Sequence, residues 1–169
     1  MTVTHELGHV LVALAGGAKL RDLQLQPWHL PYSLFSGDPH PLATLWAGFV
    51  FGCAIPLVSA AAIGRKAVWY VAWFCLLANG IYLLIGYVVD DGELDSTKMI
   101  RAGARPVELL VVSTVMVLIG YIKFRQSCIG VISGVTPPMT RRALWISGGV
   151  LAAILAVQAV IATAIRAAL

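Results

Sequence analysis

A chain of 169 residues has the length of one domain, but 59% of it is hydrophobic and 12% charged. With a mean hydropathy of +0.85, that composition excludes an ordinary water-soluble globule and places the chain among membrane proteins. The net charge of +4 does not mark a nucleic-acid binder, because the Lys and Arg residues lie mostly between apolar runs, where a membrane protein keeps its charges.

The chain opens with "MTVTHELGHVLVALAGG", and residues 1–16 read as a helix over about Thr4 to Ala15, ended by Gly16 and Gly17. A hydrocarbon slab about 30 Å thick needs roughly 20 apolar residues of helix. This first helix is too short to span alone, so either upstream residues are missing or it enters only part of the bilayer. No cleavable signal peptide is read here, because the run lacks a basic start and carries His5, Glu6 and His9.

Residues 17–41 read as strand and loop. Leu23 and Leu25 alternate with Gln24 and Gln26, as a half-buried strand would, and Pro27 and Pro31 confine it to an edge or a short hairpin. The stretch from Trp28 to Pro41, rich in Pro, Ser, Gly and Asp, reads as a loop. Apolar runs at 42–63, 67–89, 106–122 and 143–165 follow, each long enough to form or nearly form a membrane helix. Gly48, Gly52 and Pro56 in the first of these permit close packing and a kink. Trp69, Tyr70 and Trp73 begin the next at the level of an aromatic belt. The connection 90–105 holds Asp90, Asp91, Glu93 and Asp95, half of the eight acidic residues. Residues 123–142 read as a polar connection in which Pro137 and Pro138 stop any helix. Of the three cysteines, Cys53 and Cys75 lie in apolar runs and Cys128 in that polar connection, with no C-x-x-C spacing. They read as small apolar fillers. The expected fold is an all-α membrane protein in one domain: a partial N-terminal helix, a short strand or hairpin, and about four transmembrane helices.

His5, Glu6 and His9 stand in the spacing H-E-x-x-H. Residues i and i+4 lie one above the other on a helix, so the two imidazoles face one point about a turn apart. Zinc takes neutral imidazole nitrogen well, prefers four ligands, and in catalytic sites leaves one position to water. Glu6, beside the first histidine, reaches that water as a candidate general base for peptide hydrolysis. The bland alternative is a chance match or a purely structural polar cluster. Against it, an isolated Glu or His in an apolar helix costs several kcal/mol unless paired or solvated, and here three such groups share a turn and a half. Two histidines do not complete a site. His9 lies roughly 10 Å below the face where the first helix ends, and counting spans returns the 90–105 connection to that face, so its carboxylates are the supply for a third ligand. His29 and His40, which flank prolines in a polar loop, read as surface residues.

"THELGHVLVALAGGAKLRDLQL" resembles the start of the site-2 protease family of intramembrane zinc metalloproteases, in which H-E-x-x-H on a membrane helix is followed by Gly and a β-hairpin. In that family a later L-D-G-G-x-x-L segment supplies an aspartate. Here "LDSTKMI" matches it at Leu94, Asp95 and Ile100 and departs at Ser96 and Thr97, which replace both glycines. The resemblance implies a Zn2+ site with His5, His9 and Asp95 as ligands and Glu6 as catalytic base; Asp91 is the rival third ligand. Asn79 resembles an asparagine that precedes the aspartate in the family, at a longer spacing.

The function expected from this resemblance is hydrolysis of membrane-anchored or membrane-proximal polypeptides by a zinc endopeptidase. If the strand from Ala18 to Gln26 has a free edge near the site, an extended substrate would pair with it through main-chain bonds. The expected partners are the lipid bilayer and such a polypeptide, not nucleic acid; the oligomeric state stays open. The alternative is a non-catalytic multi-pass protein, a degenerate relative or a metal-binding or transport subunit. Lys19, Arg21, Lys98, Arg101, Arg105 and Arg166 on one face balance Arg65, Lys66, Lys123, Arg125, Arg141 and Arg142 on the other, so the positive-inside rule gives no orientation.

Overall fold

A computed structural model describes residues 2–89, 92, 94–135 and 140–168 of the chain. The elements in chain order are α1 (Thr2–Ala15), β1 (Lys19–Gln24), β2 (Tyr32–Ser36), α2 (Pro41–Ile63), α3 (Lys66–Val88), α4 (Asp95–Arg101), α5 (Pro106–Ile132) and α6 (Arg141–Ala168). Among the described residues, four segments are long and apolar enough to cross a membrane: Pro41–Ile63, Lys66–Val88, Pro106–Ile132 and Gly148–Ile165. The protein is therefore an all-α, multi-pass membrane protein carrying one short antiparallel hairpin.

Helix α1 turns its polar residues inward and its leucines outward. His5, Glu6, Gly8, His9 and Ala13 are buried, whereas Leu7, Leu11 and Leu14 are exposed on the opposite side, where lipid solvates them. The helix ends in a Schellman turn: Gly17 takes φ 93, and the Ala18 amide donates to the Ala13 carbonyl at 2.9 Å. Its buried face lies on α2 at backbone distance. A Cβ on Gly8 would stand 2.3 Å from the Ala47 carbonyl oxygen, so only glycine admits this approach. Helices α3 and α5 pack the same way, since a Cβ on Gly120 would lie 2.6 Å from the Leu77 amide nitrogen. Phe49, Leu83, Met99, Ala104 and Leu109 form the apolar core shared by α2, α3, α4 and α5.

Three elements differ from the sequence expectation. Residues 32–36, read as loop, form β2, which pairs antiparallel with β1 in the register Leu23 with Ser33 and Gln24 with Tyr32. Pro31 and Gly37 bracket a five-residue strand too short to show through its flanking turn residues. The apolar run read at 106–122 does not stop at residue 122. Lys123 to Ile132 continue α5, because the charged residues there are good helix formers at the membrane surface and Phe124 packs on Tyr70 and Phe74 of α3. Cys128 thus sits on a helix, its Sγ 3.6 Å from the Tyr70 hydroxyl, and Gly134 at φ 73 closes the helix; Pro137 and Pro138, the expected stop, lie outside the described residues. Finally, the acidic connection contains α4, with Asp95 in its first turn and Lys98 and Arg101 in its last, the charge order that complements the helix dipole. Helix α6 begins at Arg141 and packs against the β1 side of the hairpin, where Ala162 meets Leu23 and Leu25 and the Gln158 side-chain amide donates to the Leu25 carbonyl.

Candidate metal centre

The i, i+4 spacing on α1 brings His5 and His9 together, with ring centroids 4.7 Å apart. His5, Glu6 and His9 each offer one potential ligand atom, all within 4.8 Å of one another, and all three residues are buried. Asp95 arrives from α4. Its Oδ2 stands 2.9 Å from His5 Nε2 and 3.4 Å from His9 Nε2. Asp91, the rival in the same connection, lies outside the described residues, as do Asp90 and Glu93. His29 and His40 are exposed.

The hydrogen bonds behind the imidazoles set their tautomers. His9 Nδ1 is 2.8 Å from the Thr44 carbonyl oxygen, which can only accept, so the proton is on Nδ1 and Nε2 carries a lone pair. Asn79 Nδ2 donates to the Cys75 carbonyl at 2.9 Å, which turns its Oδ1 toward His5 Nδ1 at 3.3 Å and gives His5 the same tautomer. Asn79 is fully buried, and a Cβ on Gly52 would meet its Oδ1 at 2.9 Å. Both Nε2 lone pairs then face the Asp95 carboxylate. A carboxyl of ordinary pKa is an anion at neutral pH, so a lone pair of Asp95 meets those of both rings.

This arrangement fits a divalent cation. With both rings in that tautomer three acceptors converge with no donor among them, and His9 Nε2 is buried without a hydrogen-bond partner, a state that costs a few kcal/mol unless a cation or proton occupies the gap. Two neutral imidazoles oriented through their Nδ1 protons and one carboxylate form a donor set of the kind catalytic zinc uses. The space is made by Gly48: a Cβ there would lie 2.4 Å from Cε1 and Nε2 of His9 and 2.9 Å from His5 Nε2. The Phe49 ring, 4.9 Å from that of His5 and edge-on to it, walls the site with apolar surface.

Glu6 points to the hairpin, where the Ser33 hydroxyl donates to its Oε2 at 2.7 Å. Sequence reasoning missed Ser33 because it lay in a presumed loop. It missed Thr44 because the acceptor is a backbone carbonyl and leaves no side-chain signal. Gly48 carried a signal, as a packing glycine; that it seats the imidazoles becomes visible only with α1 in place. Ser96 and Thr97, which stand where the resembling motif has glycines, pack on α3: Ser96 is fully buried against Gly86, whose Cβ would lie 1.7 Å from the Ser96 Oγ. The Thr97 hydroxyl also donates to the Gly86 carbonyl at 3.4 Å.

The model of the Peptidase M50B-like family matches residues 1–89, which include His5, Glu6, His9, Gly48 and Asn79 and stop short of Asp95. No curated protein and no solved structure matches the chain. Because the family match takes in more than half of the 169 residues and starts on the helix that bears H-E-x-x-H, the protein belongs to the Peptidase M50B-like family, related to the site-2 proteases.

Proposed function

We propose that this protein is an intramembrane zinc endopeptidase that hydrolyses peptide bonds of membrane-anchored or membrane-proximal polypeptides. The observation that carries the reading is the convergence of His5 Nε2 and His9 Nε2 on Asp95 Oδ2, at 2.9 and 3.4 Å, with the Glu6 carboxylate one residue along the helix. His5, His9 and Asp95 would hold the ion. When bound, zinc lowers the pKa of water to about 7 and polarises a carbonyl. Glu6 takes a proton from water as the peptide carbonyl is attacked and returns it to the leaving amine. Phe49 and the burial of α1 keep the charges in a poorly hydrated setting, where electrostatic stabilisation is strongest.

A transmembrane helix hides its carbonyls, so the substrate has to be locally extended at the bond that is cut. The expected edge was the strand from Ala18 to Gln26, but α6 packs there, with Ala162 against Leu23 and Leu25 and Gln158 on the Leu25 carbonyl, so the edge we assign to an extended segment is that of β2, whose Ser33 touches Glu6. The alternative, a non-catalytic relative, draws on the two family glycines that Ser96 and Thr97 replace; Gly86 makes room for the Ser96 side chain, so that replacement leaves Asp95 beside the histidines.

The test is zinc content and cleavage together. Purified wild-type protein should hold about one zinc per chain and His5→Ala almost none, since catalytic zinc needs three protein ligands. The wild type should cut a membrane-anchored reporter at an extended segment and spare one whose target bond lies in an uninterrupted helix. Equal zinc in both proteins would remove His5 from the site, and equal cleavage of both reporters would end the extended-substrate reading.

Gly48 supplies an independent check. Gly48→Ala puts a methyl group 2.4 Å from the His9 ring, which the Thr44 carbonyl holds in place. We expect a loss of about 1–3 kcal/mol of stability and a fall of roughly 10- to 100-fold in zinc affinity, the size seen when a residue supporting a ligand is lost. Zinc titration at wild-type affinity would mean that the imidazole is free to turn aside.

A further inference from the structure

We propose that Ser33 is a positioning residue for Glu6, so that the register of the β-hairpin sets the direction of the catalytic base; this rests on the hydrolase reading above. The Glu6 side chain has three rotatable bonds and is 5% exposed, so its carboxylate depends on protein donors for both solvation and direction. The Ser33 hydroxyl, 2.7 Å from Oε2, supplies one. It is a neutral donor, which holds the carboxylate without neutralising it and leaves Oε1 to receive a proton from water. An Arg or Lys here would form an ion pair and weaken the base.

The hairpin is built to keep that hydroxyl where it is. Ser33 pairs in register with Leu23, and Leu23 is buried with Leu25 against Val10 of α1 and Ala162 and Ile165 of α6. A slip of one residue turns every side chain to the other face of the strand and would offer Glu6 either Tyr32 or Leu34. Tyr32 is itself tied to the other strand, donating from its hydroxyl to Asp22 Oδ2 at 2.8 Å. Apolar packing on one side of the sheet and the Tyr32 to Asp22 bond therefore fix the strand, and the strand fixes the base. A segment pairing with the edge of β2 would tighten the same strand as it delivers its carbonyl, which couples substrate engagement to alignment of Glu6.

The experiment compares Ser33→Val with Ser33→Thr, which share a β-branched shape that suits a strand and differ by the hydroxyl. In Ser33→Val we expect kcat for the reporter to fall by roughly 10- to 100-fold, the range of a hydrogen bond to a charged group, with KM and zinc content within about twofold of wild type. Ser33→Thr should restore kcat to within a few-fold. The infrared carboxylate band that disappears in Glu6→Gln should shift in Ser33→Val and stay in place in Ser33→Thr, with or without zinc. Wild-type kcat or an unshifted band in Ser33→Val, or an equal loss in both variants, would overturn the inference. Cleavage that survives in Glu6→Gln overturns the general-base role of Glu6 together with it, whereas an inactive Glu6→Gln beside a fully active Ser33→Val overturns the role of Ser33 alone.

Discussion

Glu6→Gln should keep its zinc and lose reporter cleavage by about 10²- to 10⁴-fold, the contribution of a general acid-base group. Glutamine has the shape of glutamate, and its carbonyl oxygen still accepts from the Ser33 hydroxyl, which stands 2.7 Å from Oε2 in the native protein. Packing around α1 is therefore preserved. What is lost is the ability to take a proton from water and return it to the leaving amine. Zinc content separates the two roles open to Glu6, since it lies with His5 and His9 in a group whose ligand atoms are within 4.8 Å of one another. A base leaves metal content unchanged on conversion to the amide, and a ligand does not. Zinc falling in Glu6→Gln as far as in His5→Ala would make Glu6 a ligand, and full cleavage by Glu6→Gln would end the general-base assignment.

Asp95→Asn should lower zinc affinity by at least about 100-fold, more than the 10- to 100-fold cost of losing a residue that only supports a ligand. Charge is one reason: the carboxylate is the anionic member of a set otherwise made of neutral imidazoles. Geometry is the other. With Oδ2 at 2.9 Å from His5 Nε2 and 3.4 Å from His9 Nε2, an amide NH2 in that place donates to the lone pairs that the ion would otherwise share. The site then satisfies itself without metal. Asp91→Asn should bind zinc as the wild type does. The opposite pattern, with Asp95→Asn loaded and Asp91→Asn empty, would move the third ligand to Asp91.

At the two positions where the resembling motif has glycine, Ser96 and Thr97 face Gly86: a Cβ on Gly86 would lie 1.7 Å from the Ser96 Oγ, and the Gly86 carbonyl accepts from the Thr97 hydroxyl.

Properties that depend on near neighbours were readable from the residues alone. Hydrocarbon thickness makes span length a matter of counting, so four membrane helices followed from the apolar runs. Helix periodicity places His5 and His9 on one face whatever surrounds them, and two glycines end α1. Contacts between distant segments were not readable, because their partners lie far apart in sequence and leave no local period. Ser33 meets Glu6 across 27 positions, the Thr44 carbonyl meets His9 across 35, Asn79 meets His5 across 74, and Asp95 meets His5 across 90. Asp95 was singled out by a resemblance and not by any physical rule, and β2 was hidden by the proline and glycine at its ends. Which donors orient the imidazoles, which hydroxyl directs the carboxylate and which glycine makes room for both rings all depend on helices approaching to backbone contact. Only the packed bundle sets that distance.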